Sequence, residues 1–95
     1  MAVFAVTYAY GPDTDHRMSV RPAHRAWQKE ILDAGILLAS GPLEDEQQPG
    51  GLLLLTGENA EAIAELLAHD PYAEAGVIES TTIRTWNPVF GPWSE

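Results

Sequence analysis

Residues 2–10, AVFAVTYAY, alternate the bulky Phe4, Val6, Tyr8 and Tyr10 with the smaller Val3, Ala5, Thr7 and Ala9. A period of two with both sets largely apolar predicts a strand covered on both faces. Gly11-Pro12-Asp13 breaks it, and Pro12 to Ser19 reads as a polar loop. From Ser19 to Gly35 the apolar residues Val20, Ala23, Trp27, Ile31 and Ala34 recur at helical steps. They predict an amphipathic helix with Ser19 as N-cap, Pro22 in the first turn and Gly35 as the stop.

Further along, Ile36 to Ser40 is a short apolar run bounded by Gly41-Pro42, read as a buried strand. Leu43 to Gly51 reads as an acidic turn segment, and Leu52 to Leu55 as another strand apolar on both faces. Asn59 to His69 carries Ala60, Ile63, Ala64 and Leu67 at i, i+3, i+4 and i+7, a second amphipathic helix stopped by Asp70-Pro71. Tyr72 to Gly76 is a turn, Val77 to Trp86 a β-branched strand, and the remaining tail irregular. The order β-α-β-β-α-β is the ferredoxin-like, α+β arrangement, an antiparallel sheet of order 4-1-3-2 in a single domain spanning 1–95. Two helices cover one sheet face. The other stays apolar and predicts a sheet-to-sheet homodimer.

Length and composition bound the function. The chain has 95 residues, and 5 Lys+Arg against 14 Asp+Glu give 5 − 14 = −9. Without cysteine there is no disulfide framework, thiolate nucleophile or Cys-containing zinc site. The acidic balance speaks against nucleic acid. No apolar run is long enough for a membrane span and no leader pattern opens the chain, so a soluble cytoplasmic protein is expected. The basic residues are concentrated: Arg17, Arg21, Arg25 and Lys29 follow one another at single-turn intervals. The ordinary reading of such a ridge is a solvated helix face, balanced here by Glu30 and Asp33.

The topology gathers the reactive side chains at one rim. The ends of strands 1 and 2, the start of helix 1 and the end of helix 2 meet there, bringing together Tyr10 to Ser19, Arg21, His24, Ser40-Gly41-Pro42, Asp45 and Asp70 to Tyr72. His24 lies about 40° from Val20 around helix 1, close to the apolar stripe. It reads either as a general base oriented by Asp70 or as a core histidine satisfied by one hydrogen bond. A carboxylate at a helix C-terminus needs compensation, which His24, Arg21 or backbone donors would give Asp70. The alternative for Asp70 is an ordinary Asp-Pro helix stop. Ser40-Gly41-Pro42 offers a hydroxyl and a backbone amide to a substrate oxygen, although S-G-P is also a common turn. His16 reads as a surface residue of the loop. No metal-binding spacing links His16, His24 and His69, and no glycine-rich phosphate loop is present, so neither metal nor nucleotide is expected.

Arg21-x-x-His24, the run from Gly35 through Ser40-Gly41-Pro42-Leu43, Gly50-Gly51, Asp70-Pro71-Tyr72 and Ala75-Gly76-Val77 resemble, in order and spacing, the YciI-like (YCII-related) family. The resemblance spans about residues 2–86. It implies a dimeric α+β barrel with a His and Asp pair in each subunit's pocket, corresponding to His24 and Asp70. One branch of that family is a cofactor-free dehydrochlorinase acting on a chlorinated hydroxyquinol. The function expected is a cofactor-independent lyase or isomerase acting on a small anionic or phenolic molecule. His24 would move the proton and Asp70 would orient it, with Arg21, Ser40, Gly41 and Tyr72 binding the substrate. The competing expectation is a non-catalytic dimer that binds a small ligand in the same pocket.

Overall fold

The computed structural model describes residues 1–45 and 47–94. Its elements are β1 (Ala2–Tyr10), α1 (Thr14–Asp33), β2 (Leu37–Leu43), β3 (Gly50–Gly57), α2 (Ala60–Leu67), α3 (Pro71–Glu74) and β4 (Ile78–Trp86). The sheet order is β2-β3-β1-β4, with every neighbouring pair antiparallel. This is the ferredoxin-like arrangement, with β1 and β3 central as their apolar content demands.

The period of two in β1 separates the faces. Phe4, Val6, Tyr8 and Tyr10 are buried under the helices with Leu53 and Leu55 of β3, Ile31 of α1, and Ile63 and Leu67 of α2. The intervening Val3, Ala5, Thr7 and Ala9 take the other face, opposite Thr56, Leu54, Leu52 and Gly50 of β3. No helix among the described residues is long and apolar enough to cross a membrane.

Several local expectations are corrected. Helix α1 begins at Thr14, so the segment read as a polar loop is its first turn and a half. Asp13, rather than Ser19, is the N-cap, its side chain accepting the His16 amide at 3.1 Å. Ser19 instead donates to the His16 carbonyl at 2.6 Å, and Pro22 falls well inside the helix. Strand β2 does not stop at Ser40: Gly41 pairs with Leu52 and Pro42 with Gly51. Proline is tolerated there because β2 is an edge strand, with one row of its backbone groups facing away from the ladder. The acidic segment is correspondingly shorter, and Glu46 within it lies outside the described residues. The stretch after Asp70 is a short helix rather than a turn, with Asp70 as its N-cap and Pro71 in its first turn.

Helix α3 ends where Gly76 takes a φ of 73°, which permits two closing bonds, from the Gly76 amide to Ala73 and from the Val77 amide to Tyr72. The chain is then directed into β4. His16 is not a free surface residue. Its Nε2–H donates to the Ala75 carbonyl at 2.9 Å and so ties the start of α1 to the end of α3.

Candidate active site

The site is assembled where the C-terminal end of β1 meets α1 and α3. Asp70 is completely buried at the start of α3. Its Oδ1 accepts the His24 Nδ1–H at 2.7 Å and the Tyr72 amide at 2.9 Å, and its Oδ2 accepts the Tyr8 hydroxyl at 2.9 Å. The compensation expected for this carboxylate therefore comes from His24 and a backbone donor, as anticipated, and from Tyr8. Arg21 is not among its hydrogen-bond partners. As the N-cap of α3, Asp70 also meets free amide donors, whereas at the end of α2 alone it would have faced free carbonyls.

His24 is held on three sides. Nδ1 is committed to Asp70, and because an ionised carboxylate only accepts, that nitrogen carries the proton in the neutral ring. Its partner nitrogen, Nε2, then holds the lone pair. One ring face is stacked on Tyr72, with centroids 3.8 Å apart and planes 6° from parallel. Trp27, one turn along α1, lies at 6.4 Å. His24 is 6% exposed and borders a cavity of about 410 Å³ between α1 and the β2–β3 edge of the sheet.

Arg21, Ser40, Gly41 and Tyr72, singled out from the sequence, all line that cavity with His24. Asp45 does not. Its carboxylate accepts the Gln47 amide at 2.9 Å. His69 is exposed. No group of three or more potential metal-ligating side chains occurs among the described residues.

Several further residues line the cavity or support it. Tyr10 forms part of the wall, edge-on to Tyr72 with ring centroids 5.4 Å apart. Its hydroxyl is pushed up to about 12, first by burial and then by the neighbouring Tyr72 and Asp70. The Tyr8 hydroxyl is raised further, by burial and then by the charge of Asp70. Tyr72 is also raised by burial, against the opposing pull of the Arg21, Arg17 and Arg25 charges. All three phenols are thus neutral near neutral pH, and Tyr8 is an obligatory donor to Asp70.

Arg17 and Arg25 line the cavity as well, so three members of the basic ridge border a pocket, Arg17 and Arg21 half-buried and Arg25 exposed at its rim. Only Lys29 follows the ordinary reading, pairing with Asp33 at 3.1 Å on the exposed side of α1. Tyr10 and Arg17 belong to the segment expected at the rim, whereas Tyr8 and Arg25 were missed, although Tyr8 shares a face with Tyr10 by the strand period and Arg25 a helix side with Arg21.

Residues 1–87 match the model of the YCII-related domain. The chain belongs to the YCII-related domain family. Protein YciI of Escherichia coli is 34% identical over 84 residues, covering 80% of this chain and 86% of that protein. A protein of Emericella nidulans named derivative of benzaldehyde biosynthesis cluster protein C is 30% identical over 81 residues, 76% of this chain and 83% of its own. Among solved structures, 5-chloro-2-hydroxyhydroquinone dehydrochlorinase (TftG) from Burkholderia phenoliruptrix AC1100, in complex with 2,5-dihydroxybenzoquinone, superposes with a TM-score of 0.76. It is 19% identical, and the alignment covers 98% of this chain and 99% of that one. This YCII-related chain thus shares its fold with that dehydrochlorinase, and this chain contains the buried His24–Asp70 pair.

Proposed function

We propose that this YCII-related protein is a cofactor-independent lyase or isomerase acting on a small anionic or phenolic molecule. The observation that carries the reading is His24. One nitrogen is fixed on a buried carboxylate, and the ring borders a cavity of a size suited to a single-ring substrate. His24 Nε2 removes a proton from the substrate's O–H or C–H bond. The electron pair left behind forms a new π bond, and in the lyase case a leaving group departs with its own bonding pair. The imidazolium is stabilised by Asp70 and returns its proton to solvent or to product. Arg21 and Ser40 hold the substrate oxygen on which charge develops, the Gly41 backbone shapes the opposite wall, and Tyr72 fixes the plane of the imidazole. The 5-chloro-2-hydroxyhydroquinone dehydrochlorinase named above gives a chemical precedent, removal of chloride from a hydroxylated ring.

Chloride release from chlorinated hydroquinones is the direct test. We expect His24→Ala to lose turnover by about 10²-fold or more, the usual contribution of a positioned general base, while remaining folded. Full turnover by that variant would overturn the mechanism. Ligand binding by a wild-type protein that turns over no chlorinated or enolisable substrate would favour the competing role of a binding protein.

We further propose that the working form is a homodimer joined through the sheet face that lacks helices. Leu52, Leu54, Ala39 and Leu43 surround an apolar depression of about 280 Å³ on that face.

A further inference from the structure

The cavity wall formed by α1 has a charge pattern of which the proposed proton transfer uses only Arg21. Arg17, Arg21 and Arg25 occur at intervals of four residues, so their Cα atoms rise by about 6 Å per step and by about 12 Å from first to last. Neither salt bridge among the described residues involves any of them. The only acidic side chain lining the cavity among the described residues is Glu44. Three cations against one anion leave this wall with a surplus of two positive charges, in a chain whose net charge is −9.

The three guanidinium groups are not equivalent. Arg17 is laid over the Tyr10 ring at 5.1 Å from its centroid, and one of its terminal nitrogens is fully buried without a hydrogen-bond partner. A guanidinium carries five donors in a rigid fork, and Arg17, which lines the cavity, presents the rest of that fork to an acceptor there. Arg21 reaches toward the Met18 sulfur at 3.6 Å, and Arg25 lies one turn further along. Because Arg17 is held back on Tyr10, it meets a ligand at a different point from Arg21 and Arg25.

We infer that the ligand of this site is a planar dianion, a six-membered ring bearing two separated carboxylates. Arg17 takes one group beside Tyr10, and Arg21 with Arg25 takes the other. The inference rests on the cavity being the substrate site and names the class of substrate that it selects.

Calorimetric titration at fixed ionic strength with benzoate, terephthalate and hydroquinone tests it on the intact protein. The dianion terephthalate should bind at least about tenfold more tightly than benzoate, with neutral hydroquinone weakest. In Arg17→Gln that preference should fall to within about twofold, and in Arg17→Lys, which keeps the charge without the fork, it should be intermediate. Arg25→Gln supplies the same comparison from the other end should the Arg17 variants fail to fold. Equal binding of benzoate and terephthalate, an unchanged preference in the folded glutamine variants, or no binding of any of the three would overturn the dianion. None of these readouts involves turnover, so loss of the preference leaves the His24 mechanism standing. A retained preference alongside a fully active His24→Ala would remove the mechanism alone.

Discussion

Asp70 draws hydrogen-bond donors from three separate places: the Tyr8 hydroxyl in β1, the His24 ring in α1 and the backbone of α3. A carboxylate buried to this extent is tolerated only while those donors surround it. Asp70→Ala strands a phenol and an imidazole nitrogen in the interior and should cost about 3 kcal/mol in a urea denaturation. Tyr8→Phe removes a single bond to a charged acceptor and should cost about 1.5–2 kcal/mol. The same bonds set the alkaline limit of the protein. Burial and Asp70 raise Tyr8, and burial raises Tyr10 to about 12, so the fold favours the neutral phenols. The stability they contribute is complete below the unfolded tyrosine value of about 10 and is lost as pH rises through 10 toward 12 and beyond. Denaturation midpoints followed across this window should decline, and the decline should be shallower in Tyr8→Phe. A flat profile would contradict this account of Tyr8.

Secondary structure elements position these residues through their ends. Asp13 starts α1 six residues before the apolar stripe begins at Val20, and that early start brings Arg17 to the cavity and His16 to Ala75. Asp13→Ala should therefore cost about 1 kcal/mol as a lost cap and raise amide exchange over the first turn of α1, with Ile31 and the later turns unaffected. This early turn was not legible as helix from apolar spacing, because residues 12–16 are exposed and carry no stripe to read. Strand β2 was underestimated for a related reason. Gly41-Pro42 is a turn signal in a central strand but is compatible with an edge, and edge position is a property of the sheet rather than of the dipeptide. By contrast β1, β3 and α2 were legible, since their periods of two and 3.6 are fixed by burial against one another. Of the site, the meeting of His24 with Asp70 followed from topology. Tyr8 as the third partner depended on the side-chain reach across the core. Arg25 depended on the α1 ridge turning toward β2, where spacing alone could not distinguish cavity from solvent.

For the whole molecule, surface is the informative quantity. A compact monomer of 10.3 kDa exposes roughly 5,400 Å², whereas this chain exposes 6042 Å². Part of the excess lies in the tail, where Phe90 is 94% exposed, and part on the helix-free sheet face, where Leu52, Leu43 and Trp86 remain accessible. The dimer proposed for that face should appear in light scattering at micromolar concentration as twice the chain mass, and Leu54→Glu, placing a charge at its centre, should reduce it to the monomer. A wild-type monomer under those conditions would refute the proposal. The edges of the sheet bear on how such association is limited. An edge strand with free amides and carbonyls is a template on which another chain can crystallise as an added strand, and unchecked addition leads to fibres. Pro42 has no amide hydrogen to offer, and the register shift between Leu37 and Ala39 interrupts the outer row of β2. The residue first read for its effect on a turn thus also acts as a guard: it hinders open-ended growth along this sheet edge, in keeping with the closed face-to-face pair proposed for the other surface.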